Sequence, residues 1–137
     1  SVGNKVNMDT LGEIPHNFIV RNHVPQLEML QHARVFISHA GANSVIESLY
    51  HCVPLVLLPQ SMDQFLSAGL VDSLGAGVHI KDNDISSDTL REITAKVLSD
   101  QKYKLKSEEI SASLKSAGDI KRAVDEILAY KTRKGIS

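Results

Sequence analysis

Short apolar strands alternating with amphipathic helices restrict this chain more than any other feature. Val35-Phe36-Ile37-Ser38 is a continuous β-branched and aromatic run, as a strand buried on both faces requires. Ala42–His51 follows at helical spacing, with Val45, Ile46, Leu49 and Tyr50 on one face. Leu55–Leu58 is a second buried run, bounded by Pro54 and Pro59. Asp63–Leu74 is helical, with Phe65, Leu66, Leu70 and Leu74 expected to pack inward and Gly75 and Gly77 to stop it. Val78–Ile80 reads as a last short strand. Upstream, Asn17–Arg21 reads as a strand between Pro15 and Pro25, and Gln26–His32 as one or two helical turns. The alternation predicts an α/β fold, a Rossmann-like parallel sheet with helices on both faces.

The later sequence changes texture. Ser87–Leu98 has the stripe Leu90, Ile93, Val97 and Leu98; Lys102–Leu114 is a more polar helix; Asp119–Lys131 offers Ile120, Ala123, Val124, Ile127 and Leu128 as an inward face. Residues 119–137 then make a final helix and a frayed basic tail. A length of 137 residues suits one domain, 1–137. Four strands are few for such a sheet. With a start at Ser1-Val2-Gly3 and no signal-peptide pattern, the expectation is an N-terminally truncated unit whose first strand and helix lie upstream.

Composition narrows the function. The chain is 42% hydrophobic and 23% charged, as for soluble globular proteins, and its apolar runs are too short for a membrane span, so stable membrane insertion is not expected. The formal charge of −1 argues against nucleic acid as a partner. One cysteine, Cys52, excludes an intrachain disulfide, reads as a small buried residue and fits a reducing, cytoplasmic setting. Residues 1–80 hold only Lys5, Arg21 and Arg34 as cations, against Asp9, Glu13, Glu28, Glu47, Asp63 and Asp72. An anion bound there needs backbone dipoles or histidine.

Ligands of open parallel sheets bind beyond the carboxyl ends of the strands. The segments there are Asn22-His23-Val24-Pro25-Gln26, then His39-Ala40-Gly41-Ala42-Asn43-Ser44 with Glu47 one turn on, then Pro59-Gln60-Ser61-Met62-Asp63-Gln64. Gly41 permits a sharp turn, after which Ala42, Asn43 and Ser44 open a helix whose first N–H groups lack intrahelical partners. Such an end attracts phosphate, with the Ser44 hydroxyl and the His39 imidazole as further donors. Ser44-x-x-Glu47 also fits a purely structural capping box, and a histidine at a strand end is commonly structural; residue patterns alone leave both readings open. No Walker lysine and no G-x-G-x-x-G are present.

Taken whole, residues 22 to 64 resemble the donor-binding signature of the family 1 UDP-glycosyltransferases, the macrolide glycosyltransferase-like enzymes. The matching pieces are Val24-Pro25-Gln26, H-x-G-x-N-S-x-x-E from His39 to Glu47, the Pro54 and Pro59 pair around an apolar strand, and Asp63-Gln64. Leu74-Gly75-x-Gly77-Val78 continues the likeness more weakly.

The resemblance implies the C-terminal, donor-binding half of a GT-B fold, facing an N-terminal acceptor domain outside this chain. It implies a UDP-sugar substrate, UDP-glucose first among them, a small-molecule acceptor, and no cofactor; the six histidines show no H-E-x-x-H or paired metal spacing, so no metal is expected. It assigns uracil and ribose to His23, Val24, Gln26 and Glu47, the diphosphate to His39, Gly41, Asn43 and Ser44, and the transferred sugar to Asp63 and Gln64. The implied reaction is inverting transfer, with the general base in the absent domain and His39 stabilising the leaving group. This fragment is then expected to bind donor without turnover. Two alternatives accompany that reading: the donor subunit of a split transferase, and a non-catalytic nucleotide-sugar module. Many family members carry tryptophan where His23 stands, and glycine where Ala40 and Cys52 stand. Asp82-Asn83-Asp84, a D-x-D of the kind that ligates manganese in another transferase fold, reads here as a solvated loop.

Overall fold

A computed structural model of the chain describes residues 1–81, 85–118 and 120–135. Asp82-Asn83-Asp84 lies outside the described residues. They divide into two compact units, Ser1–His32 and Ala33–Ser137.

In the first unit a 3-10 helix, Met8–Leu11, is capped by the Asn7 side chain, which accepts from Asp9 N–H at 3.1 Å. A short helix α1 covers Gln26–Leu30. The strand expected over Asn17–Arg21 does not form. The Val2 and Gly3 N–H groups donate to the Arg21 and Asn22 carbonyls at 3.0 Å, while Phe18 and Ile19 stay exposed. A strand needs a neighbour along its length, and two bonds to a chain end do not make a ladder.

The second unit carries strands β1 Phe36–Ser38, β2 Leu55–Leu57 and β3 Gly77–His79, parallel and in the order β1-β2-β3. Phe36 lies opposite Leu55, and Leu55 opposite Gly77. Helices α2 Ala42–Tyr50 and α3 Met62–Leu74 make the two crossovers. Helices α4 Ser87–Ser99, α5 Gln101–Ser116 and α6 Ile120–Lys134 follow.

The period of two along β2 builds two cores. Leu55 and Leu57 pack with Val45 and Leu49 of α2 and Ala68 and Val71 of α3, backed by Ile110 and Leu114 of α5. Val56 turns to the other face and packs with Val97 of α4, Ile80 and Tyr103. The layer order expected from the alternation is thus observed.

Several expected faces are corrected. On α2, Val45, Ser48 and Leu49 are buried, whereas Ile46 and Tyr50 are exposed. On α3, Ala68 and Val71 are buried, Phe65 is half-buried, and Leu66, Leu70 and Leu74 are exposed. Small residues let α3 approach β3 closely: a Cβ added at Gly77 would run into the Leu55 carbonyl and stand 3.1 Å from Val71 Cγ1. Gly77 therefore opens β3 rather than ending α3. Gly75 does end it, in the left-handed conformation at φ 75°. Leu98 at the end of α4 is exposed, and so are Ala123, Val124, Ile127 and Leu128 of α6. Among the described residues, no helix is long and apolar enough to cross a membrane.

Candidate functional site

The sheet is parallel, so the turns after β1 and β2 leave its same end. The β1 turn begins at Ser38, which is buried and whose Oγ accepts from Ala40 N–H at 3.3 Å. Ala40 is fully buried and has φ 67°, a left-handed value costly for a residue with a Cβ. This turn sends the chain into α2 with Gly41 as N-cap, at φ −59° and ψ 136°.

The backbone sets which residue caps α2. The N-cap is Gly41, which has no side chain to cap with, and Ser44 stands inside the first turn. The capping box is therefore not formed. A helix start without a side-chain cap leaves its leading N–H groups to solvent or a ligand, at the positive end of the helix dipole.

A groove of about 310 Å³ lies over that end, lined by His39, Gly41, Ala42, Asn43 and Ser44. The His39 ring lies against Gly41: a Cβ there would stand 2.7 Å from His39 Nε2. Glycine is therefore what lets the imidazole lie over the helix start. His39 and Asn43 are exposed, and Ser44 and Glu47 are half-buried. No lysine or arginine stands between Arg34 and Lys81, so negative charge bound here meets only backbone dipoles and the imidazole within this stretch.

The turn after β2 carries Asp63 and Gln64. Ser61 is the N-cap of α3 but makes no cap bond; its hydroxyl donates instead to Asp63 Oδ1 at 2.7 Å. That bond is the main cause holding the Asp63 carboxyl below the usual carboxylate value, partly opposed by desolvation. The His39 imidazole adds the smallest of the pulls in the same downward direction. Gln64 Oε1 accepts from Gln60 N–H at 2.8 Å, which folds the turn back on the start of α3. Sequence reasoning missed Ser61; its signal was a hydroxyl two residues before an exposed aspartate at a helix start.

His39, Gly41, Asn43 and Ser44 thus come together around one groove, Glu47 follows on the same helix, and Asp63 lies in the turn after β2, at the same end of the sheet. His23 is exposed and Val24 and Gln26 are half-buried; these three belong to the Ser1–His32 unit.

Comparison with known proteins identifies the family of the chain. Residues 3–128 match the family described as erythromycin biosynthesis protein CIII-like, C-terminal domain. The chain belongs to that family. It is 44% identical over 134 residues to the uncharacterized UDP-glucosyltransferase YojK of Bacillus subtilis strain 168, covering 98% of this chain and 33% of that protein. It is 39% identical over 136 residues to the NDP-glycosyltransferase YjiC of the same strain, covering 99% of this chain and 35% of the relative. Among solved structures, the glycotransferase of kitacinnamycin aligns with a TM-score of 0.85 at 35% identity, over 92% of this chain and 33% of that one. The chain therefore spans about a third of the length of the relatives it matches. Its fold is the Rossmann-like C-terminal half of a GT-B glycosyltransferase.

Proposed function

We propose that this chain is the donor-binding part of an inverting glycosyltransferase, which takes a UDP-sugar and delivers a hexose to a hydroxyl of a small-molecule acceptor. UDP-glucose is the first donor to test, since a UDP-glucosyltransferase is among the relatives most similar to it. The observation that carries the reading is the Gly41-capped start of α2 with the His39 ring against it.

In this reading the pyrophosphate sits on the leading N–H groups of α2, at Asn43 and Ser44, with His39 and the Ser44 hydroxyl as further donors. As the glycosidic bond breaks, negative charge grows on the departing UDP, and these donors stabilise it more in the transition state than in the bound substrate. Each charge-assisted hydrogen bond contributes about 1.5–3 kcal/mol, so a few account for micromolar binding of a diphosphate. Asp63, held ionised by Ser61, accepts from sugar hydroxyls, and Gln64 contributes its amide. Glu47 accepts from the ribose hydroxyls. The assignment of uracil and ribose to His23, Val24 and Gln26 rests on the sequence motif. The base that deprotonates the acceptor is supplied by a part of the protein outside this chain.

Calorimetric titration with UDP, UMP, UDP-glucose, UDP-glucuronate and TDP-glucose tests the proposal. The expected order puts UDP above UMP, with His39→Ala weakening UDP by about tenfold, the worth of one such hydrogen bond. Absence of heat with every nucleotide would remove the donor site. Turnover is expected only when the chain is part of the whole protein. A whole protein that binds donor yet transfers to no acceptor would favour a non-catalytic module.

A further inference from the structure

The opposite end of the sheet carries a second cavity, of about 340 Å³. It opens where the chain enters β1 and β2, at Arg34 and Pro54, and is closed on the other side by the α4–α5 junction. Its size falls at the lower end of the range for small-molecule pockets. Pro54 and Val97 form a buried apolar floor, while Leu98 and Leu105 expose apolar surface along its sides.

The charges at this cavity are not equivalent. Lys104 is engaged twice: its Nζ donates to the Cys52 carbonyl at 2.9 Å and pairs with Glu108 at 3.5 Å. Asp100 caps the start of α5 and pairs with Lys102 at 2.9 Å. Arg34 has no hydrogen bond or ion pair among the described residues. The lining thus offers one uncommitted guanidinium beside an apolar wall, with its acids already matched. A guanidinium presents a planar fork of donors suited to a carboxylate.

We propose that this cavity binds a small aliphatic carboxylate, with the acid group on Arg34 and the hydrocarbon body against Pro54, Val97, Leu98 and Leu105. The site is independent of the donor loops and stands or falls apart from them.

Amide-resolved nuclear magnetic resonance titration of the chain with octanoate, octan-1-ol and acetate tests it. Octanoate is expected to give saturable shifts at Leu98, Leu105 and the Arg34 side-chain N–H. Octan-1-ol, with the same tail and no charge, and acetate, with the charge and no tail, are each expected to bind at least fivefold more weakly. In Arg34→Gln the advantage of octanoate over octan-1-ol disappears. Because Arg34 is exposed, this variant keeps the fold, and its unperturbed spectrum elsewhere checks that. Octanoate shifts centred on the exposed Met62, Leu66 and Leu70 of α3 would overturn the proposal, as would an octanoate affinity unchanged in Arg34→Gln.

Discussion

Ala40 and Ser61 set the site at the scale of single residues. Ala40 combines full burial with φ 67°. Glycine there would relieve about 1–2 kcal/mol of left-handed strain. It would also lose about 0.8 kcal/mol of methyl burial and a similar amount to the freer unfolded chain. The terms nearly cancel, so Ala40→Gly is expected to move stability by under about 1 kcal/mol in urea denaturation. Ala40→Val adds bulk to a filled core at a φ that β-branched residues avoid, and is expected to cost more than about 2 kcal/mol. Equal losses from the two variants would contradict the strain argument. Asp63 carries the second prediction. A depressed carboxyl value in the fold adds stability that is present above the unfolded value and is lost as pH falls through the folded one. Removing the Ser61 hydroxyl removes the main cause of that depression. Ser61→Ala is therefore expected to raise the Asp63 midpoint in a carboxyl-detected pH titration, and to let donor binding fail at a higher pH. An unmoved midpoint would show that the Ser61 bond does not hold the carboxylate.

Among the elements, α5 and α3 divide what the sequence discloses from what it hides. Every strand and helix from Val35 onward was legible, because β-branched runs and a 3.6-residue period leave few alternatives within the described residues. Which face turns inward was less legible. Helix α3 offers large apolar residues at Met62, Leu66, Leu70 and Leu74, yet buries Ala68 and Val71. The choice is made across the sheet, where Gly77 leaves room for Val71, and no local period encodes it. Helix α5 buries Tyr103, Ser107 and Ser111, a stripe at every fourth residue in which two members are serine. These hydroxyls are satisfied by carbonyls, Ser107 on Tyr103 at 2.9 Å and Ser111 on Tyr50 at 2.6 Å, so α5 approaches α2 closely. Ser107→Leu is expected to destabilise by about 1–3 kcal/mol through overpacking. Leu66→Gln, on the exposed side of α3, is expected to stay within about 0.5 kcal/mol. Thermal denaturation of the pair checks the assignment of faces; the reverse ranking would contradict it. The local geometry of the candidate site was legible for a different reason: H-x-G-x-N-S-x-x-E names both the helix start and the group laid against it. That Gly41 rather than Ser44 caps α2 emerges only from the backbone.

Across the molecule, the distribution of charge explains how an acidic ligand is held without lysine or metal in the reading proposed above. Cations cluster after Lys81, while the stretch from Val35 to Ile80 relies on an open helix end and one imidazole. The apolar face of α6 at Val124, Ile127 and Leu128 is exposed, and the chain spans about a third of the length of its relatives. In that reading α2 receives a pyrophosphate at its first N–H groups. Amide chemical shifts of the chain titrated with UDP and, separately, with UMP measure this directly. The largest UDP-induced shifts are expected at Asn43 and Ser44, several times those produced by UMP. Equal responses to the two nucleotides at these amides, or shifts that leave Asn43 and Ser44 untouched, would contradict it.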